Sequence, residues 1–141
     1  VIGEDLPEVH NKVSLDTDLT DADGIPAPRI TYTLSDNSRR ILDHGILTSS
    51  QVMEAAGATK ITANPLIKEA GWHLMGTARM GTDKGNSVVD GHGRSHEVRN
   101  LFVIDGSIFV TAGAVNPTST IQALALYIAD YVKDNARHLI D

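Results

Sequence analysis

Two neighbouring stretches set the architecture of the second half of the chain: residues 100–107 read NLFVIDGS, and residues 116–132 read NPTSTIQALALYIADYV. The continuous apolar run at 101–104 predicts a strand buried on both faces, because such strands carry no polar alternation. From 121 to 132, apolar residues recur at helical spacing, which predicts a long amphipathic helix. With the elements described below, they predict a mixed α+β fold.

The start of that helix is the first candidate for chemistry. Asn116 is a favourable N-cap residue, and Pro117 suits the first helical position because a missing N–H costs nothing there. The backbone N–H groups of Thr118 and Ser119 then lie at the positive end of the helix dipole, which is a ready site for an anion. A capped helix without any ligand explains the same residues, so the sequence leaves both interpretations open.

The first half of the chain predicts a small antiparallel sheet. Two short runs, 13–15 and 30–34, have the alternating, β-branched character of half-buried strands, and they flank a loop predicted at 21–28. The loop assignment depends on Pro26 and Pro28, since proline cannot donate a hydrogen bond to a neighbouring strand.

A helix is predicted after the second strand. Residues 35–37 read SDN and offer N-cap chemistry, and apolar residues then recur on one side as far as Ala56. Gly57 is placed to end this helix, because glycine readily adopts the left-handed conformation found at helix C-termini. A further short strand is predicted at 60–62.

Composition restricts the class of function. The chain has 141 residues and a formal net charge of −6, and its scattered lysines and arginines supply no basic face for nucleic acid. It contains no cysteine, which excludes disulfides, thiolate metal sites and cysteine nucleophiles. No apolar run approaches the roughly 18 residues that a membrane-spanning helix needs. The chain begins at Val1 without a secretory leader, so we expect it to be a piece of a longer protein.

A glycine-dense, irregular segment at 71–99 holds the second candidate, His73. Histidine titrates near neutral pH and can accept a proton from a substrate hydroxyl, although a lone histidine is more often structural. In the same segment, His92 and His96 have the spacing of metal ligands on one face of a helix. The flanking glycines argue against a helix there, so we predict no metal site, and a metal hydrolase stays as a third hypothesis.

Four motifs of the second half, taken in order, resemble one family. They are HLMGTARMG at 73–81, VVD at 88–90, NLFVIDGS at 100–107 and NPTSTI at 116–121. Together they closely resemble the C-terminal region of glucose–methanol–choline (GMC) oxidoreductases. The first half is similar to the opening of that family's substrate domain, through NKVSLD at 11–16 and GIPAP at 24–28. The resemblance covers nearly the whole chain.

The resemblance implies a flavoenzyme in which FAD accepts a hydride from an alcohol carbon while a histidine removes the hydroxyl proton. His73 matches that histidine, and Asn116 matches the second residue of the catalytic pair. The positions that meet the cofactor in the family correspond to Asp105, Gly106, Asn116, Pro117 and Thr118. An Asn116 side chain that caps the helix cannot also hold the substrate, so one of these two roles must yield.

The family's organisation assigns residues 1–68 to part of the substrate-binding domain, and 69–141 to the catalytic loop and the return to the FAD-binding domain. The family's FAD-binding fingerprint, which supplies most pyrophosphate contacts, is absent from this sequence. We therefore expect a fragment that is inactive alone and that partners with the N-terminal, FAD-binding part of the same protein. Apolar surface and a strand edge left exposed in such a fragment also predict self-association.

The alternative from another class is a non-catalytic binding or structural module on the same scaffold. The sequence leaves open which alcohol or sugar is oxidised, whether the enzyme is an oxidase or a dehydrogenase, and which electron acceptor it uses. It also leaves open the compartment, cytoplasmic or periplasmic, and the oligomeric state.

Overall fold

The computed structural model describes residues 2–67, 71–113 and 115–139. It contains two antiparallel strands and two α-helices with one short 3₁₀ helix, so the predicted α+β class is confirmed. The chain divides into two compact units, Val1–Ile67 and Lys68–Asp141.

A β-hairpin forms the centre of the first unit. Strand β1 (Lys12–Thr20) pairs antiparallel with β2 (Pro26–Thr31), and the register is irregular between Leu15 and Thr20. The predicted loop was too long, because β2 already begins at Pro26. A sheet of two strands leaves β2 with an unpaired edge, and an edge strand tolerates proline because one side needs no donor.

Helix α1 (Asp36–Ala55) follows the sheet as the sequence predicts. The Ser35 hydroxyl caps it by accepting a hydrogen bond from the Ser38 backbone N–H at 3.1 Å. Beyond the C-cap residue Ala56, Gly57 has a φ of 86°, a left-handed conformation that costs glycine little. Local signals at both ends therefore set the bounds of this helix.

The Asp5 carboxylate links three segments of the first unit. One of its oxygens accepts a hydrogen bond from the Tyr32 hydroxyl and the other from the Ser38 hydroxyl, both at 2.6 Å. Partial burial, followed by the hydrogen bond and the negative charge of Asp5, raises the pKa of Tyr32 to about 12. Ser38 is buried, so this network anchors the N-terminal segment to the start of α1.

The strand predicted at 60–62 is wrong. These residues are exposed and belong to no strand, because neither β1 nor β2 pairs with them. A short β-branched run has no stability as a strand without a partner.

The second unit is built around helix α2 (Thr118–Leu139), which confirms the predicted long amphipathic helix. Ile128 on the inner face of α2 belongs to a small hydrophobic core. There it packs with Val89 and with Ile108, which lies in the 3₁₀ helix Gly106–Ile108. Partly buried hydrophobic residues complete this core: Met80, Val103, Phe109, Leu124 and Val132. No helix in the described ranges is both long and apolar enough to cross a membrane.

The apolar run at 101–104 forms one β-bridge, between Phe102 and Arg94, instead of the predicted strand buried on both faces. The bridge consists of two backbone hydrogen bonds, from the Ser95 N–H to the Leu101 carbonyl and from the Val103 N–H to the Gly93 carbonyl. Leu101 is 47% exposed and Ile104 is 46% exposed. Burial on both faces requires neighbours over both faces, and the described residues supply too few.

Candidate active site

His73 has an unusual backbone conformation. Its φ is 61°, and it is the one non-glycine residue with a positive φ among the described residues. Apart from glycine, residues with a positive φ are uncommon, although asparagine, aspartate and histidine adopt it more often than others, and backbone strain of this kind costs about 1–3 kcal/mol. Such strain clusters at functional sites, so the observation supports a functional hypothesis for His73.

The segment that follows His73 is held in place by the 3₁₀ helix. The backbone N–H groups of Gly76, Ala78 and Met80 donate in turn to the carbonyls of residues 106, 107 and 108, at 3.4, 2.9 and 2.8 Å. This region, which the sequence leaves as an irregular loop, therefore follows a defined path. These hydrogen bonds set the course of the backbone from residue 76 to residue 80, shortly after His73.

Gly106 is the point at which the His73 loop and α2 meet. A Cβ atom built on Gly106 would lie 3.1 Å from the Leu74 carbonyl oxygen and 3.2 Å from Cδ1 of Ile121. Leu74 follows His73 directly, and Ile121 lies in the first turn of α2. A side chain at this position would require each neighbour to shift by a few tenths of an ångström. The fold thus brings together two segments that lie more than forty residues apart in sequence.

The start of α2 differs slightly from the prediction. The helix begins at Thr118, and the Pro117 carbonyl accepts its first hydrogen bond from the Ile121 N–H at 2.9 Å. Pro117 therefore stands just before the helix, within the usual uncertainty of helix ends. Within the described ranges, the amides of residues 118–120 have no hydrogen-bond acceptor. Three backbone donors are left available at this helix end.

Asn116 does not cap α2. Its side chain is exposed and makes no hydrogen bond with any residue that the structure describes. The predicted cap is missing because the first helical hydrogen bond is accepted by Pro117 instead. The competition between capping and ligand binding is thereby removed, and the Asn116 carboxamide is free to contact a ligand.

Asp105 stands at the end of the apolar run and caps the 3₁₀ helix. Its Oδ1 accepts a hydrogen bond from the Ser107 N–H at 2.8 Å. The Ser107 hydroxyl and then its amide lower the pKa of Asp105, because both donate to the charged form. Asp105 is exposed, so it presents an ionised acceptor next to Gly106.

The predicted catalytic pair is not joined directly. Across the described part of the chain, no hydrogen bond links the His73 imidazole to the Asn116 carboxamide, and neither side chain has another hydrogen-bond partner. The residue after His73 and the first turn of the helix that follows Asn116 both lie close to Gly106, at 3.1 and 3.2 Å from where a Cβ atom would be. As far as the described residues go, the imidazole and the carboxamide are therefore both available to a ligand.

No feature of the sequence indicates the hydrogen-bond network around His96. The Nε2 atom of His96 lies 2.9 Å from the Ser87 hydroxyl and 3.2 Å from the Gly81 carbonyl oxygen, and the Ser87 hydroxyl donates to the Asp83 carbonyl at 2.6 Å. Since both groups facing Nε2 act as acceptors, Nε2 carries the proton and donates. His96 therefore cannot serve as base to Ser87, and it clamps the end of the His73 loop instead.

His92 is also engaged inside the second unit. Its ring stacks on Tyr131 of α2 with centroids 3.7 Å apart, and its Nε2 lies 3.2 Å from the Tyr127 hydroxyl. Residues 91–96 form a turn and two bridges rather than a helix, as the glycines predict. No group of three potential metal ligands occurs among the described residues. Nothing in this region supports the metal-hydrolase hypothesis.

Comparison with known proteins identifies the class. A family model described as GMC oxidoreductase matches residues 7–125. The chain therefore belongs to the GMC oxidoreductase family, as its four ordered motifs predict. A similar fold occurs in the crystal structure of pyridoxine 4-oxidase from Mesorbium loti, with a TM-score of 0.66 and 20% identity; the match covers 92% of this chain and 28% of that one.

Several characterised relatives are larger enzymes. The chain is 40% identical to 2-methyl-1,2-propanediol dehydrogenase of Mycolicibacterium austroafricanum, over 100% of this chain and 26% of that protein. It is 40% identical to paromamine 6'-oxidase of Streptomyces fradiae, covering 91% and 24%, and 34% identical to the fructose dehydrogenase large subunit of Gluconobacter japonicus, covering 95% and 24%. The chain thus spans about a quarter of the length of these relatives.

Proposed function

We propose that this chain is the C-terminal part of an FAD-dependent oxidoreductase that oxidises a CH–OH group of an alcohol or sugar. The observation that carries the proposal is the meeting of the His73 loop and the start of α2 at Gly106. Both segments bring functional groups that have no partner among the described residues. The names of the relatives, two dehydrogenases and an oxidase, support the reaction class.

The groups around Gly106 fit the cofactor that the family uses. Residues 118–120 offer free backbone donors at the positive end of the α2 dipole, which suit an electron-rich carbonyl. The ionised Asp105 can accept a hydrogen bond from a hydroxyl group, and Gly106 keeps the backbone approachable. When bound, FAD supplies the acceptor for the hydride. We assign its binding to Asp105, Gly106, Asn116, Pro117 and Thr118.

His73 is the proposed general base. Its imidazole is half-buried and makes no hydrogen bond with the described residues, so a ring nitrogen is available to take the substrate hydroxyl proton. Removing that proton raises electron density on the oxygen and weakens the adjacent C–H bond toward hydride loss. Asn116 would hold the same oxygen by a hydrogen bond, which keeps the carbon in line for transfer.

The division of the chain fits a role as part of a larger protein. We assign residues 1–68 to the substrate-binding domain and 69–141 to the catalytic loop and the return to the FAD-binding domain. The partner is the N-terminal, FAD-binding part of the same protein. Because the fingerprint loop is missing, the chain alone is expected to bind FAD weakly or not at all and not to turn over.

The test is a substitution of His73 in a protein that joins this chain to its FAD-binding part. We expect His73→Asn to slow substrate-driven flavin reduction by about 10²–10⁴-fold, the usual contribution of a general base. Stopped-flow absorbance of the flavin measures the rate. His44→Asn, at an exposed position of α1, is the matched control and should leave the rate unchanged.

Flavin reduction at an unchanged rate in His73→Asn would remove His73 from the mechanism. A flavin that binds but is reduced by no alcohol or sugar would favour the non-catalytic module instead.

A further inference from the structure

A second polar site lies in the second unit, away from Gly106. A cavity of about 620 Å³ opens between the turn that begins at Asp90 and the last turn of α2. It is lined by Asp90, Arg94, Ser95, His96, Arg99 and His138. None of these residues belongs to the proposed FAD or substrate site, and all six carry polar side chains.

The fixed charges of the cavity are positive in sum. Arg94 and Arg99 face a single carboxylate, Asp90, and neither arginine forms an ion pair with a residue that the structure describes. The Asp90 Oδ1 atom is already used, because it accepts the backbone N–H groups of His92 and Arg94 at 2.8 and 3.1 Å. The Asp90 carboxylate therefore also stabilises the turn, and among the described lining residues the two guanidinium groups exceed it by one positive charge.

Arg94 is oriented by the protein and not merely exposed. It is half-buried, and its Nε donates to the Arg99 carbonyl at 2.7 Å. This bond directs the guanidinium and leaves its terminal N–H groups free. Arginine's planar fork matches the oxygens of phosphate and carboxylate groups, and orientation before binding reduces the entropy lost on binding.

Two other lining residues, Ser95 and His96, determine which further hydrogen-bond donors the cavity presents to a ligand. The Ser95 oxygen accepts the N–H groups of Glu97 and Val98, at 3.2 and 3.1 Å, which leaves the hydroxyl hydrogen free to donate. The Nε2 atom of His96 is already hydrogen-bonded to Ser87, so this atom adds no donor to the cavity. The carbonyls at the end of α2 are partially negative, but Arg137 in the same turn offsets them.

We propose that this cavity binds a phosphate group, either free or as a phosphate ester. Two guanidinium groups without a described ion-pair partner and the Ser95 hydroxyl supply several donors, which suit the three or four oxygens of a tetrahedral oxyanion better than the two of a carboxylate. The volume exceeds what one phosphate fills and lies in the range of small-molecule sites, so an ester has room beside the arginines.

Isothermal titration calorimetry with inorganic phosphate, at pH 7.5 and low salt, tests the proposal on the protein that joins this chain to its FAD-binding part. We expect saturable binding that Arg94→Gln or Arg99→Gln each weakens by about tenfold or more, since each substitution removes a charge-assisted hydrogen bond. Arg99→Gln retains the Arg99 carbonyl that orients Arg94, so it separates loss of charge from loss of structure. Arg40→Gln on α1 is the matched control and should bind like the parent.

Titration with glycerol 3-phosphate and acetate completes the experiment. Tighter binding of glycerol 3-phosphate than of inorganic phosphate identifies an ester as the ligand, and the reverse order identifies free phosphate. Non-saturating heats, acetate binding as tightly as phosphate, or equal affinity in the parent and both cavity variants would overturn the proposal. The result is independent of flavin reduction, so it cannot be confused with failure of the proposed oxidoreductase function.

Discussion

Single residues carry the most specific information about the candidate site. His73 adopts a positive φ, Gly106 lies where a side chain would be tightly placed, and Asn116 makes no side-chain hydrogen bond with a described residue. These are properties of backbone geometry and of missing hydrogen bonds. Backbone strain like that at His73 persists only where the surrounding structure holds it in place. Such strain occurs often at functional sites, which supports the proposed roles as hypotheses.

Substitution of Gly106 tests the close approach at residue scale. We expect Gly106→Ala to lower the free energy of unfolding by about 1–3 kcal/mol, because the new Cβ would lie 3.1 Å from a backbone oxygen that cannot rotate away. Gly91→Ala is the control, since a Cβ there meets nothing within 4 Å. Urea denaturation followed by circular dichroism measures both, and equal losses would contradict the packing at Gly106.

Tyr32 provides a test by pH. In the folded chain its hydroxyl should ionise near pH 12 instead of near 10, because the phenolate is disfavoured by partial burial and by Asp5. A raised pKa means that the stabilising contribution is fully present below pH 10 and is lost as the pH rises toward 12. With 56% of the side chain exposed, solvent keeps this contribution small.

The difference in absorbance at 295 nm between the parent and Tyr32→Phe isolates the tyrosinate of this residue. In the native chain the difference should develop around pH 12, and in urea it should develop near the ordinary value of 10. A native midpoint at 10 would show that the Asp5 contact is not formed.

At the scale of elements, the second unit depends on how α2, the 3₁₀ helix and the His73 loop hold one another. The loop donates three backbone hydrogen bonds to residues 106–108, and His96 secures its far end at Gly81. Helix α2 covers the same region through Ile121 and Ile128. The loop is thus supported from two sides, although it contains no regular secondary structure.

Replacing His96 should loosen the end of the loop. We expect His96→Ala to destabilise the second unit by about 1–3 kcal/mol, because the Gly81 carbonyl and the Ser87 hydroxyl lose their shared donor. Hydrogen exchange at the amides of Met80 and Gly81 should accelerate. His44→Ala on α1 serves as the control, and identical exchange in both variants would show that His96 does not support the loop.

At the scale of the whole molecule, apolar surface on the sheet is the dominant feature. Val13 and Leu15 lie two positions apart on β1, and Ile30 pairs with Val13, so the three share one face of the sheet. They are 50%, 69% and 75% exposed, respectively. Monomeric proteins rarely expose a large continuous apolar face, so these three residues mark a candidate surface for association.

We therefore expect the isolated chain to self-associate through this face. Light scattering coupled to size-exclusion chromatography should show a mass that rises with concentration, and Leu15→Lys or Ile30→Lys should return the chain to a monomer. Val9→Lys is the matched control, because Val9 is 91% exposed but lies outside both strands. A monomer at all concentrations would contradict the prediction.

The amino-acid sequence was sufficient for the features that depend on local interactions and on motif order. Helix α1 was predictable because Ser35 and Gly57 mark its ends, and α2 because its apolar residues repeat at helical spacing. The family followed from four motifs in a fixed order. The candidate residues were named from the same motifs, and their roles stay predictions.

Tertiary structure alone decided the features that depend on residues far apart in the chain. Periodicity does not reveal that His73 is left-handed, that its loop meets α2 at Gly106, or that Pro117 takes the first helical hydrogen bond and frees Asn116. The apolar run at 101–104 predicted a buried strand, but burial depends on which segments lie over each face. Such contacts are fixed by packing between segments distant in sequence, and no local preference encodes them.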